Sequence, residues 1–311
     1  PNMGTDDDPA FNSVDAPLWF IWALQQFHNY DPDYDLWKRY GKHVKHILQH
    51  FRAGTLFNIH MQENGLIYAG EEFKALTWMD AIVYDSPVTQ RDGNPVEISA
   101  LWYNGIRFAL ELADKAGEKK FVDDWKDIPG LIEEFFIPVF WYEEGGYLAD
   151  CVKNGIQDIS VRPNQIIAAA MDFSPLSSEM KKSILDIVEG ELLTPKGLRT
   201  LSPKNPMYKG IYEGKQETRD EAYHQGTVWP WLLEHFCATY LKIHKTTGLP
   251  LVKRLYYGFE EDMNVNGIGS ISEIYDGDPP HKGRGAISQA WSVAALLRIR
   301  RMIKNYSTEN A

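Results

Sequence analysis

The chain has 311 residues, 44% of them hydrophobic and 13% aromatic, and a net charge of −11 at pH 7. That composition can bury a large core, as one large domain or two smaller ones. The charge argues against nucleic acid or an anionic membrane surface as the main partner, and a neutral ligand is the simpler expectation. Ten Trp and sixteen Tyr suit either a thick helical core or a cleft that stacks on the flat faces of sugar rings. Cys151 and Cys237 lie far apart in apolar segments. They read as two reduced, buried thiols, with one disulfide as the other option. The opening stretch has no basic or apolar signal region, and no apolar run reaches the ~18 residues of a membrane span. A soluble, cytoplasmic chain is expected. Starting at Pro1-Asn2 without an initiator Met, it also reads as a piece cut from something longer.

Taken in order, Asp15 and Pro17 mark a helix start, with Trp19, Trp22, Ala23 and Phe27 on one face. A second helix follows from about Asp35 to Phe51. The period then changes: Phe57, Ile59 and Met61 alternate, Asn64-Gly65 signals a turn, and Leu66 and Tyr68 alternate again, which predicts a hairpin. Val96 to Ala113 repeats as a helix, and another starts near Lys119 and is interrupted at Pro129-Gly130. Trp141-Tyr142 and Tyr147-Leu148 flank a glycine turn, a second hairpin. Helices are predicted after Arg162-Pro163, over 177–189, from Trp229-Pro230-Trp231 to His244, over 251–262 and over 287–303. The polar stretch 191–222 carries little helical pattern and reads as a long functional loop. Roughly nine helices, joined by short turns and long hairpin-bearing loops, predict one mostly α domain. Its architecture would be a toroid of helical hairpins with the long loops on one face.

Two carboxylates fall in those loops, Asp80 after Trp78-Met79 and Glu273 in an acidic segment rich in Gly and Pro. Hydrolysis of a glycosidic bond needs such a pair, one group to protonate the departing oxygen and one to activate water or attack the sugar. The plain alternatives are an Asx turn or cap for Asp80 and a solvated loop acid for Glu273. Glu97 rivals Asp80, and Asp276 and Asp278 rival Glu273. His224 and Gln225, just before a helix start, can present hydroxyl-binding groups or only order their loop. Trp78, Trp229 and Trp291 can stack on sugar or fill core. Arg162 can hold a hydroxyl or pair with a structural acid, and Asp15 reads more readily as a helix cap. No zinc spacing, dinucleotide fingerprint, P-loop or Gly-x-Ser-x-Gly elbow appears, so neither metal nor cofactor is expected.

The motifs Phe11-Asn12-Ser13-Val14-Asp15-Ala16-Pro17-Leu18-Trp19-Phe20, Thr77-Trp78-Met79-Asp80-Ala81 and Pro95-Val96-Glu97-Ile98-Ser99-Ala100-Leu101-Trp102-Tyr103-Asn104 resemble the C-terminal amylo-α-1,6-glucosidase domain of glycogen debranching enzymes. So do Arg162-Pro163-Asn164-Gln165, Gly197-Leu198-Arg199-Thr200-Leu201, Tyr223-His224-Gln225-Gly226-Thr227-Val228-Trp229-Pro230-Trp231 and the stretch from Glu273 to Trp291. The resemblance implies an (α/α)6 barrel that hydrolyses α-1,6-linked glucose stubs of glycogen or limit dextrin with inversion. It assigns the general acid to Asp80 and the general base to Glu273. The sugar-binding candidates are Asp15, Trp78, Arg162, His224, Gln225 and Trp229. Such a barrel needs more helices than the roughly nine counted. Residues 1–12 are therefore expected to be a tail from a missing upstream part of the same protein, 13–306 a partial barrel and 307–311 a closing tail. The alternatives are a non-catalytic glycan-binding or scaffold piece, or another α-glucosidase or trehalase-like hydrolase on the same barrel.

Overall fold

Helix starts follow the local chemistry. A computed structural model of the chain describes residues 3–4 and 9–308. The expected leading tail, 1–12, and closing tail, 307–311, lie partly outside them. α1 (Ala16–Tyr30) opens on Pro17, whose fixed φ suits a first turn. α2 (Leu36–Ala53) is capped by Asp35, whose side chain accepts from the Lys38 amide at 3.0 Å. α3 (Val96–Lys115), α4 (Lys119–Trp125), α5 (Ile128–Phe140) and α6 (Asn164–Ala170) follow. α7 (Ser178–Glu191) is capped by Ser177. The remaining helices are α8 (Gln216–Tyr223), α9 (Leu233–His244), α10 (Leu249–Tyr257) and α11 (Ala290–Thr308).

Eleven α-helices among the described residues exceed the roughly nine expected. One additional helix is α5: Pro129-Gly130 does not break a helix but opens one, with Pro129 in the first turn, where its missing N–H is harmless. Another is α8, in the polar stretch read as loop; the same stretch also holds strands Leu193–Thr194 and Gly197–Arg199. The last helix starts at Ala290, not 287, and runs on to Thr308. Both predicted hairpins form, His60–Met61 with Ile67–Tyr68 and Trp141–Tyr142 with Tyr147–Leu148. Cys151 and Cys237 are free and buried.

The helices pack in a continuous wall: α1 against α3, α3 against α6, α6 against α9, and α9 against α11. α3 and α6 are buried on nearly every side, including their polar residues Glu97, Asn104 and Asn164. Outside this wall, α2, α4 and α5 lie on α3, α7 lies on α6 and α9, and α10 lies on α11. α11 reaches back to α1 through its cations: Arg298 donates to Gln26 at 2.8 Å and sits 4.5 Å from the Trp22 ring, and Arg301 sits 4.1 Å from Tyr30. None of the helices among the described residues is long and apolar enough to cross a membrane.

The connections at one end carry small sheets. A five-stranded antiparallel ladder runs Leu193–Thr194, Gly197–Arg199, Val228–Trp229, Ile274–Tyr275, Gly283–Arg284. Its register sets Leu198 opposite Trp229 and Val228 opposite Tyr275. A three-stranded sheet joins Asn94–Pro95, Cys151–Lys153 and Ile156–Asp158, which brings Asp150 beside the start of α3. The ladder fixes the segment that carries Glu273 at this end through the Ile274–Tyr275 strand.

Candidate active site

A cleft of about 620 Å³ opens at that end, and both Asp80 and Glu273 line it, with Asp15 and Glu234 as further acids. Its walls are aromatic. Trp78 meets Trp231 edge to face at 5.1 Å, Trp231 stacks on Trp291 at 5.1 Å, and Trp19 and Trp22 cross at 5.3 Å. Flat apolar faces with a few acids among them are what a sugar ring requires.

Asp80 is positioned from behind. Trp78 donates its indole N–H to Asn164 Oδ1 at 2.8 Å, and Asn164 donates to Asp150 Oδ1 at 2.6 Å and approaches Met79 Sδ at 3.6 Å. Arg91 donates to Thr77 Oγ1 at 3.1 Å, which fixes the start of the same loop. The Asp80 carboxyl itself is largely buried in this apolar frame. Burial pushes its pKa up to about 6, and the negative charges of Asp15 and Glu273 add to the rise.

Glu273 is held very differently. The Tyr223 hydroxyl donates to Oε1 at 2.7 Å, Gln289 Nε2 to Oε1 at 3.3 Å and the Ala286 amide to Oε2 at 2.8 Å. Both oxygens therefore serve as acceptors. Burial and the neighbouring Glu273 push the Tyr223 pKa up, so the phenol keeps the proton it donates. The Ala286 contact depends on Gly285, whose φ is +68° and where any Cβ would overlap Glu273 Oε2.

Asp15 corrects an expectation. Its backbone is helical and its side chain makes no cap hydrogen bond. The Ser13 hydroxyl instead accepts from the Ala16 amide at 3.2 Å and donates to Asp15 Oδ1 at 2.7 Å, and the carboxyl turns to the cleft. Burial raises its pKa.

Of the other candidates, Trp78 and Trp229 line the cleft, as does Trp291. His224, Gln225 and Arg162 lie behind it. The His224 ring stacks on Trp229 at 5.3 Å and meets Trp78 edge-on at 5.3 Å, fully buried, with neither ring nitrogen hydrogen-bonded. Burial lowers its pKa to about 3, so it is a neutral spacer between two tryptophans. Arg162 donates to the carbonyls of Thr200 and His224 and to Gln225 Oε1, and Gln225 donates to Val88 O and Thr89. These contacts clamp the loop that carries Tyr223.

The rival acids are all committed elsewhere. Glu97 meets Arg91 through two parallel contacts of 2.5 and 2.6 Å. Asp276 is bound by Arg284 and the Tyr212 amide, and Asp278 accepts from Tyr208. The cation lining the cleft, Arg298, is itself paired with Glu234 at 2.9 Å. Sequence reasoning missed Tyr223 and Gln289. A Tyr next to His224 and a Gln before a helix carry no signal until the fold brings them to Glu273.

A family model described as Amylo-alpha-1,6-glucosidase matches residues 1–298. The glycogen debranching enzyme of Saccharomyces cerevisiae is 25% identical over 93% of this chain, which spans only 23% of that protein's length. Among solved structures, a GH78 family rhamnosidase of Bacillus sp. GL1 shares the fold with a TM-score of 0.58 at 16% identity, over 91% of this chain and 26% of that one. A GH63 mannosylglycerate hydrolase from Thermus thermophilus, solved in complex with glucose, gives 0.51 at 16% identity, over 67% and 45%.

Proposed function

Because this chain belongs to the amylo-alpha-1,6-glucosidase family, a family of glycoside-hydrolase type, we propose that it hydrolyses α-1,6-linked glucose stubs of glycogen or limit dextrin with inversion. The helices are then part of an (α/α)6 barrel. The observation that carries the reading is the contrast between the cleft's two carboxyls. Asp80 lies in apolar surroundings with a pKa near 6 and can hold a proton close to neutrality. Glu273 accepts at both oxygens.

In this mechanism the terminal glucose enters the tryptophan-lined cleft with its glycosidic oxygen beside Asp80. Asp80 gives its proton to that oxygen as the C–O bond breaks. Glu273 draws a proton from a water that attacks the anomeric carbon from the opposite face. Inversion requires the carboxyls to stand ~6.5–9.5 Å apart, which leaves room for that water. Asp15, one acid further along the wall, accepts hydroxyls of the bound sugar. Tyr223 and Gln289 aim Glu273, and His224, Gln225 and Arg162 hold the loop that carries Tyr223.

The test is glucose release from a phosphorylase limit dextrin trimmed to single α-1,6-linked glucose stubs, with the 311-residue chain, its Asp80→Asn variant and a version extended upstream. Release of β-glucose, abolished by Asp80→Asn, is the expected result. Release by the extended version alone would leave the chemistry standing and move the reading to a longer protein. Dextrin binding without release from either would replace it with a glycan-binding role.

A further inference from the structure

On the outer helix α2, His46 and His50 stand one turn apart, and their Nε2 atoms approach to 2.9 Å with the rings nearly perpendicular. Two imidazole nitrogens bound to one divalent ion at ~2.0–2.1 Å each lie roughly 3 Å apart. That contact is a hydrogen bond between the two rings, and at this spacing small ring rotations would let both nitrogens face one ion in its place, on a regular helix that fixes both backbones. Both histidines line a groove of about 360 Å³ between α2 and the segment that leads into α1. A second feature of this groove is independent of the histidines. Asn12, from that leading segment, also lines it, and its side-chain oxygen Oδ1 is buried with no hydrogen-bond partner. A buried acceptor without a donor is unfavourable, and a cation would satisfy it.

We propose that His46, His50 and the Asn12 side-chain oxygen form a surface site for one first-row divalent ion that favours imidazole, zinc or nickel before magnesium or calcium. Among the described residues no three His, Cys, Asp or Glu side chains converge, so this site depends on a two-histidine chelate with an amide oxygen as its third protein donor. The nearby Lys45 does not oppose it directly, because its ammonium is turned to Glu118 at 3.2 Å. The same leading segment carries Ser13, which holds Asp15 in the cleft. An ion here would fasten that segment to α2.

The experiment is calorimetric titration of the full 311-residue chain with zinc chloride, and with nickel chloride as a second probe. Each is followed by thermal unfolding with and without metal. One equivalent should bind, and melting should rise with metal concentration by mass action. His46→Ala and His50→Ala should each weaken binding about tenfold or more and remove the melting shift. Both side chains are on the outer face of α2, so circular dichroism should show an unchanged fold. Asn12→Ala should weaken binding by less than either histidine change, and His43→Ala, on the same helix, should leave it untouched. Absence of binding by the parent at millimolar metal would overturn the proposal, as would binding that survives both histidine substitutions. Loss of binding in His43→Ala would overturn the assigned pair.

Discussion

Two clusters of acids in this molecule make opposite use of the same residue types. In the buried cluster beside α3, Arg91 lies between Glu97 and Asp150 with contacts of 2.5–2.7 Å, and Asn164 takes the remaining Asp150 oxygen. Burial works against the guanidinium's charge, yet the two acids push its pKa well above the usual value. In the cleft, Asp15, Asp80 and Glu273 have no cation of their own, and the result is an acid whose pKa is near 6. Burial raises the carboxyl pKa in both clusters, and Arg91 opposes that rise at Glu97 where no cation does so at Asp80. The two clusters are also joined: Asn164 and Thr77 connect the neutralised one to the loop that carries Asp80. The arginine-paired cluster is the mount for the loop that carries Asp80.

That comparison can be broken most directly at Asp80. Replacing it by Asn should lower kcat on the trimmed dextrin by about 10²–10⁴-fold, measured by glucose release. A loss under tenfold would remove Asp80 from the acid role. Next in size, Arg91→Met should destabilise the fold by about 3–5 kcal/mol, because buried Glu97 loses its counter-charge and Asp150 keeps only the more distant Arg162. Urea unfolding reads this, and a change below ~1 kcal/mol would mean that the cluster is not the mount.

Asp80→Asn should also stabilise the protein at pH 7.5, by up to ~2 kcal/mol. The sign follows from the raised native pKa. Between the unfolded value near 4 and the native value of about 6 the folded state binds more protons, so the native protein gains stability as pH falls through that window. The mutant's advantage should therefore shrink toward pH 4. Tyr223→Phe removes a donor to Glu273, and should lower kcat/KM several-fold with KM little changed. A loss carried by KM alone, or by lowered stability, would make Tyr223 merely structural. The smallest effect belongs to Asp15→Asn: with that charge gone, the basic limb of kcat, set by Asp80 near pH 6, should shift downward by under one pH unit.

Much of this was legible in the sequence where the code is local. α2 announces itself by its period and the first hairpin by Asn64-Gly65, and the span expected for α7 holds to within two residues. What was not legible is non-local or cancels locally. α8, Gln-Glu-Thr-Arg-Asp-Glu-Ala-Tyr, buries only Ala222 and so has no apolar stripe to read. The five-stranded ladder is made of strands two or three residues long, far too short to show alternation. Choosing Asp80 over Glu97, or Glu273 over Asp276, requires knowing which acid has an arginine beside it. Asp15 was misread for a related reason: its position suits a cap, and only the three-dimensional neighbours show that Ser13 takes that part.

The ladder has a consequence for how the molecule comes into being. Leu193 to Arg284 are joined strand by strand, and Glu273 is fixed only when Val228 has met Tyr275 and α11 has brought Gln289 into place. Those contacts span long stretches of chain, so they close late. On a ribosome, the loop that bears Asp80 emerges and can settle against α3 and α6 well before its partner has been translated. Such a chain would carry Asp80 in a half-built frame, and the raised pKa that Trp78's neighbours and the Glu273 charge help to set would arrive only with the late contacts.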